Sequence, residues 1–161
     1  RALAEQAADL VLARLGTRRR FSTSRLEIGG ARGCPQTEEE RGSWIARVAR
    51  ERGASPERVA TLLARYGTGA EGYLASLEGS PEHPLRTLPE YAAEEIRRIA
   101  ERDFVVRLAD LVSRRTLIAL LGEARSDALE EIAGIAGERL GWDADRRARE
   151  VEAAAREVSG S

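Results

Sequence analysis

At 161 residues the chain has room for one domain, and its few aromatics (two Trp, three Tyr, two Phe) leave the core to Leu, Val, Ile and Ala. A formal charge of −1, with Arg and acidic residues interleaved and no basic excess, argues against nucleic acid as a partner. The single cysteine excludes an internal disulfide and fits a reducing, cytoplasmic setting, and no apolar run approaches the roughly 18 residues of a membrane span.

Helix signals dominate from the first residues. Leu3, Ala7, Leu10, Val11 and Leu15 recur on one face of a helix over 2–15, stopped by Gly16. Residues 17–36 lose that period and read as a connector, extended over Thr23–Ile28 and ended by Gly29-Gly30. Thr37 and Glu40 form a capping box for a helix to Arg52, with Trp44, Ile45, Val48 and Ala49 on its buried face and Gly53 as its stop. Ser55-Pro56 starts a short helix carrying Val59, Leu62 and Leu63, and another follows over 70–77. Gly79 to Leu85, with Pro81 and Pro84, is a loop.

Thr87 and Glu90 repeat the capping-box spacing and are expected to open the longest helical tract. Tyr91, Ile96, Ile99 and Ala100 give that tract an apolar face. Phe104, Val105, Leu108, Leu111 and Val112 continue it after a bend, and Leu117–Leu121 close it at Gly122. Leu129, Ile132, Ala133, Ala136 and Leu140 stripe a helix over 126–140, and Asp143 caps a last one to about Val158. The expected fold is all-α: a compact multi-helix domain over 37–161, preceded by an N-terminal helix and irregular or extended connector over 1–36.

Residue chemistry offers little to an enzyme. Gly67-Thr68-Gly69-Ala70-Glu71-Gly72 spells G-x-G-x-x-G, but that motif cradles a pyrophosphate only after a strand, and here it follows a helix. A helix C-cap and turn explains it better. Residues 55–69 have helix-turn-helix spacing, which the charge balance does not support as a DNA reader. His83 and Cys34 each lack partners at metal or triad spacing, so no metal, cofactor-binding or catalytic residue is assigned. Arg18-Arg19-Arg20, the one basic run, reads as solvated connector, and the Glu pairs sit where helix caps and dipoles explain them.

Several runs nevertheless form a pattern. Tyr91-Ala-Ala-Glu-Glu-Ile96 is followed by Asp103-Phe-Val-Val-Arg-Leu-Ala-Asp110-Leu-Val-Ser-Arg114-Arg115-Thr116. Together they resemble the E-I, then acid, then D-x-L-x-R-R-T signature of the C-terminal helical domain of FAD-dependent glycerol-3-phosphate dehydrogenases. Ala136-Gly-Glu-Arg-Leu-Gly-Trp142-Asp143 with Glu150-Val151 is similar to that domain's closing L-G-W-D helices. Leu62–Gly67 resembles its L-x-x-R-Y-G turn, and Arg1-Ala-Leu-Ala-Glu5 the R-x-M-A-E helix that leaves the flavin domain. The resemblance touches about 80% of the chain. It departs at Asp103, where the family often has Glu, at Val112 in place of Leu, and through the connector.

The resemblance implies an accessory domain of a flavoprotein that oxidises sn-glycerol 3-phosphate to dihydroxyacetone phosphate and passes electrons to a membrane quinone. FAD would belong to the parent enzyme and not to this chain. The absence of Met fits an excised piece, inactive alone, that docks on and stabilises the flavin domain of the same polypeptide. It is compatible with a homodimer and meets the inner face of the cytoplasmic membrane only through the parent. Asp110, Arg114, Arg115 and Thr116 are the candidate ion-pair or interdomain residues. Asp110 and Arg114 are four apart, the spacing of a helical ion pair, whereas Arg115 leaves the helix in another direction. The competing reading is a freestanding helical interaction or DNA-binding module.

Overall fold

The computed structural model describes residues 1–160; Ser161, with which the expected helical domain ends, lies outside the described residues. The fold is all-α, with eight α-helices and no strand among the described residues beyond one isolated bridge. Contacts gather the chain into two compact units, Arg1–Ser76 and Leu77 onward. The expected boundary at 36/37 lies inside the first of these units. The end of the connector, a 3-10 turn over Gly29–Ala31, packs with the first unit's helices because Gly30 meets Gly67 backbone to backbone.

In the first unit α1 (Ala2–Arg14) precedes the connector, and α2 (Glu38–Arg52), α3 (Pro56–Tyr66) and α4 (Gly69–Ser76) pack on one another. Thr37 Oγ1 accepts the Glu40 N–H and the Glu40 carboxylate accepts the Thr37 N–H, so the expected capping box is present. Gly53 ends α2 in the left-handed conformation, and Ser55 Oγ caps α3 by accepting the Arg58 N–H at 3.1 Å. Val48, Val59, Leu62, Ala70 and Tyr73 are buried. Across them Arg47 joins Glu51 at 2.7 Å on its own helix and Glu71 at 2.9 Å on α4.

The connector is not a strand. It turns back on α1, where Thr23 N–H and Oγ1, Ser22 Oγ and Arg19 all converge on the Glu5 carboxylate. The Thr23 hydroxyl and then its N–H hold the Glu5 carboxyl down to about 2. Arg19 also grips Asp9, one turn further along the same face, at 3.0 Å.

The second unit is built around α7 (Ser126–Leu140), which packs against α5 (Ala93–Arg102) and α8 (Ala144–Ser159). Leu129, Ile132, Ala133 and Ala136 of α7 meet Ile96 and Ile99 of α5 and Ala154 of α8 in one apolar cluster. Asp143 Oδ1 caps α8 by accepting the Arg146 N–H at 2.7 Å, and Gly141 closes α7 in the left-handed conformation.

Three expectations are corrected here. Thr87 and Glu90 do not cap a helix: α5 starts at Ala93, after an antiparallel bridge between Pro84 and Ala92. Thr87 is held instead by Glu131 of α7, whose carboxylate accepts the N–H groups of Arg86 and Thr87 at 2.9 Å and the Thr87 hydroxyl at 2.6 Å. The apolar tract does not run on through Phe104, because α5 ends at Arg102 and Phe104 stands 91% exposed with φ +53. Leu117–Leu121 form turns that bury Ile118 and leave Leu120 and Leu121 outside.

Two measurements follow from this packing. A β-carbon on Gly30 would lie 1.8 Å from the Tyr66 carbonyl oxygen, a backbone atom that cannot swing aside. Gly30→Ala is expected to destabilise the first unit by at least about 2 kcal/mol in denaturant melts. Burial opposes ionisation of Glu131, but the Thr87 hydroxyl and the Arg86 and Thr87 N–H groups outweigh it and hold its pKa below the ordinary value. That stabilisation is present above the unfolded carboxylate pKa and lost as pH falls through the lower folded one. Glu131→Gln should therefore cost about 1–3 kcal/mol at pH 7, with wild type and variant converging in acid.

Candidate functional site

The signature residues 103–116 form an elbow between α5 and α7. Asp103 closes α5 by donating its N–H to the Ile99 carbonyl at 3.0 Å, and the left-handed backbone at Phe104 then reverses the chain. A single turn, α6 (Leu108–Asp110), continues into a π-helical turn over Leu111–Arg115. Such turns are uncommon and concentrate at functional positions.

Two carboxylates hold the start of α6. Asp110 Oδ2 accepts the N–H groups of Val106 at 3.2 Å and Arg107 at 2.9 Å, and Glu150 Oε2 of α8 accepts that of Leu108 at 2.8 Å. Asp110 Oδ1 takes Arg114 Nη1 at 2.7 Å. Burial of Asp110 works against its charge, yet the two N–H groups and Arg114 prevail and leave its pKa below the usual aspartate value. Arg114 also reaches Glu157 of α8 at 3.4 Å, with Arg107 at 3.9 Å from the same carboxylate.

Arg115 points elsewhere. Its Nε donates to the Asp103 carbonyl at 2.7 Å, tying the far end of the elbow to the last residue before Phe104. Thr116 touches none of these charges: its hydroxyl donates to the carbonyls of Leu111 at 3.0 Å and Val112 at 3.3 Å, closing the π turn. Tyr91 Oη accepts the Leu117 N–H at 3.3 Å just beyond. The structure thus joins Asp110 to Arg114 and sets Arg115 and Thr116 to separate backbone tasks.

Glu150 and Phe104 escaped the sequence reading as members of this site. Arg146 and Glu150 are four apart, which signals an ion pair (2.7 Å in the structure), but nothing local shows that Glu150 is 5% exposed and aimed at α6. Phe104 looked like one more apolar position in a periodic run.

The carboxylates of this arrangement are engaged with backbone N–H groups and guanidiniums. Among the described residues no cluster of three or more His, Cys, Asp or Glu is placed to hold a metal. His83 and Glu94 form a loop clamp: Glu94 accepts His83 N–H and Nδ1, each at 2.9 Å, and Arg97 at 3.1 Å. Arg19 of the basic run is engaged with Glu5 and Asp9. Cys34, partly buried, lines a shallow cleft with Leu63 and Tyr66.

The G-x-G-x-x-G segment does not fit a dinucleotide. Gly67 N–H is bonded to Leu63, Thr68 N–H to Gly30, Ala70 N–H to Gly67 and Glu71 N–H to Thr68, which leaves those donors unavailable to a pyrophosphate. Gly67 has φ +57 and lies against Gly30, so its glycine serves a helix end and a close backbone approach.

Against known proteins, the family described as the C-terminal domain of alpha-glycerophosphate oxidase matches residues 21–147. A probable glycerol-3-phosphate dehydrogenase of Encephalitozoon cuniculi (strain GB-M1) is 29% identical over 110 residues, 67% of this chain and 18% of the relative. A glycerol-3-phosphate dehydrogenase of Mycobacterium leprae (strain TN) is 31% identical over 110 residues, 66% of this chain and 19% of the relative. The chain thus spans about a fifth of the length of the relatives it matches. The family match covers the α2–α4 helices and the whole α5–α7 elbow, and on that ground the chain belongs to the family of the C-terminal domain of alpha-glycerophosphate oxidase.

Proposed function

We propose that this chain is the accessory C-terminal domain of a flavoprotein that oxidises sn-glycerol 3-phosphate to dihydroxyacetone phosphate. FAD and substrate belong to the flavin-binding portion of that polypeptide, and this domain docks on it and stabilises it. The parent works in the cytoplasm and meets the membrane by way of that other portion.

The observation that carries this reading is α1. Its polar face is fastened by the connector at Glu5 and Asp9, yet none of its residues is buried, and Leu3, Leu10, Val11 and Leu15 all face outward. A helix of 13 residues with no packed face is marginal in water. The apolar stripe therefore calls for a cover, and relatives about five times the length of the matched stretch have the chain to provide one.

The test compares the 161-residue chain with the full product of its reading frame. The chain alone should neither retain FAD nor reduce a dye with sn-glycerol 3-phosphate, while the full product should do both. Leu10→Glu in the full product should lower its stability by about 2 kcal/mol, because a buried leucine becomes a buried charge. Unchanged stability in that variant, or dye reduction by the chain alone, would overturn the proposal.

A further inference from the structure

The tip of the elbow carries a phenyl ring where neither packing nor backbone geometry favours one. Phe104 is 91% exposed and holds φ +53, a conformation that bulky residues rarely adopt. Val106, two residues on, is exposed as well, while Val105 between them is buried in the cluster below. The tip is not slack chain: Arg115 holds the carbonyl on one side of Phe104, and Asp110 holds the N–H groups of Val106 and Arg107 on the other. A strained residue fixed from both sides and pointing outward is presented to something.

The surroundings narrow what that is. Arg102, two residues before Phe104, and Arg115, bonded to the Asp103 carbonyl next to it, are both exposed, and neither has a carboxylate partner among the described residues. Arg115 uses only its Nε on Asp103, so its terminal nitrogens remain available at the edge of the tip. An exposed aromatic side chain on a tip that also carries exposed guanidiniums has the composition of an interface anchor with a polar rim. The matching surface is an apolar socket edged by carboxylates.

We propose that the Phe104 elbow is a plug that seats in such a socket on the flavin-binding portion of the parent polypeptide. The inference rests on the docking reading above and adds the contact point to it. The length of the relatives argues for this occupant, since most of each lies outside the matched stretch. The position of the plug within residues 21–147, inside the family match, agrees with an anchor that belongs to the domain itself.

Hydrogen exchange tests it, comparing residues 103–107 in the 161-residue chain and in the full product of the reading frame. Exchange across the tip should slow about tenfold or more in the full product. Phe104→Asn keeps a residue that tolerates the left-handed backbone, so the 161-residue chain should melt at the wild-type temperature or above. In the full product the same variant should abolish the slowing, and Phe104→Leu should retain most of it. If the tip exchanges equally in both proteins while α1 becomes protected, or if Phe104→Asn keeps the slowing, the plug is wrong and docking survives. If no surface of this chain gains protection in the full product, the docking reading fails and the plug with it.

Discussion

The second unit depends on how one short turn of helix is held at its start. The N–H groups of Val106, Arg107 and Leu108, which lead into the three-residue turn Leu108–Asp110, need acceptors from side chains, and the buried one, on Leu108, is costly to leave without one. Asp110 and Glu150 supply those acceptors from opposite sides, one from within the turn and one from α8. Glu150 is nearly buried, a position a carboxylate holds only with compensation, and Arg146 at 2.7 Å together with the Leu108 N–H provides it. The consequence is structural direction: with α6 anchored to α8, the chain between Arg102 and Leu108 has one path, and Phe104 lies at its apex.

That anchoring explains why some of the site was legible in the sequence and some was not. Asp110 and Arg114 meet through a spacing that any helical turn preserves, so their pairing can be read from the letters. Arg115 finds Asp103 only because the elbow brings residues twelve apart within 2.7 Å, and no local rule contains that fold-back. Thr37 and Thr87 make the same point from the fold. Both stand three residues before a Glu, and only Thr37 makes a capping box. Thr87 is taken by Glu131, forty-four residues away, while the Pro84–Ala92 bridge fixes where α5 begins. Long-range hydrogen bonds override an identical local signal when they satisfy three donors at once.

Elsewhere local chemistry decided the outcome. Ser55 and Asp143 cap the helices they were expected to cap, and Gly53 ends its helix in the left-handed conformation. These signals succeed because donor and acceptor lie within a few residues and little tertiary structure can intervene. The stripe on α1 was equally legible as a helix, but the pattern does not say whether its partner lies in the same unit. The connector turns onto the polar face of α1 and leaves the apolar one outward. Amphipathicity thus identifies an element correctly without saying what packs on its apolar face.

The choice of residue at left-handed positions sharpens the case of Phe104. Among the described residues nine glycines adopt positive φ, and only Glu78 and Phe104 do so with a side chain. For a non-glycine residue this conformation costs roughly 1–2 kcal/mol. Glu78 is exposed in a polar turn, where a charged side chain is at home in water. Phe104 combines that backbone cost with an apolar ring left in solvent, so the isolated fold gains nothing visible from it. Glycine or asparagine would serve the turn better if the turn were its whole purpose. In the plug proposed for it, burial of the ring offsets that backbone cost.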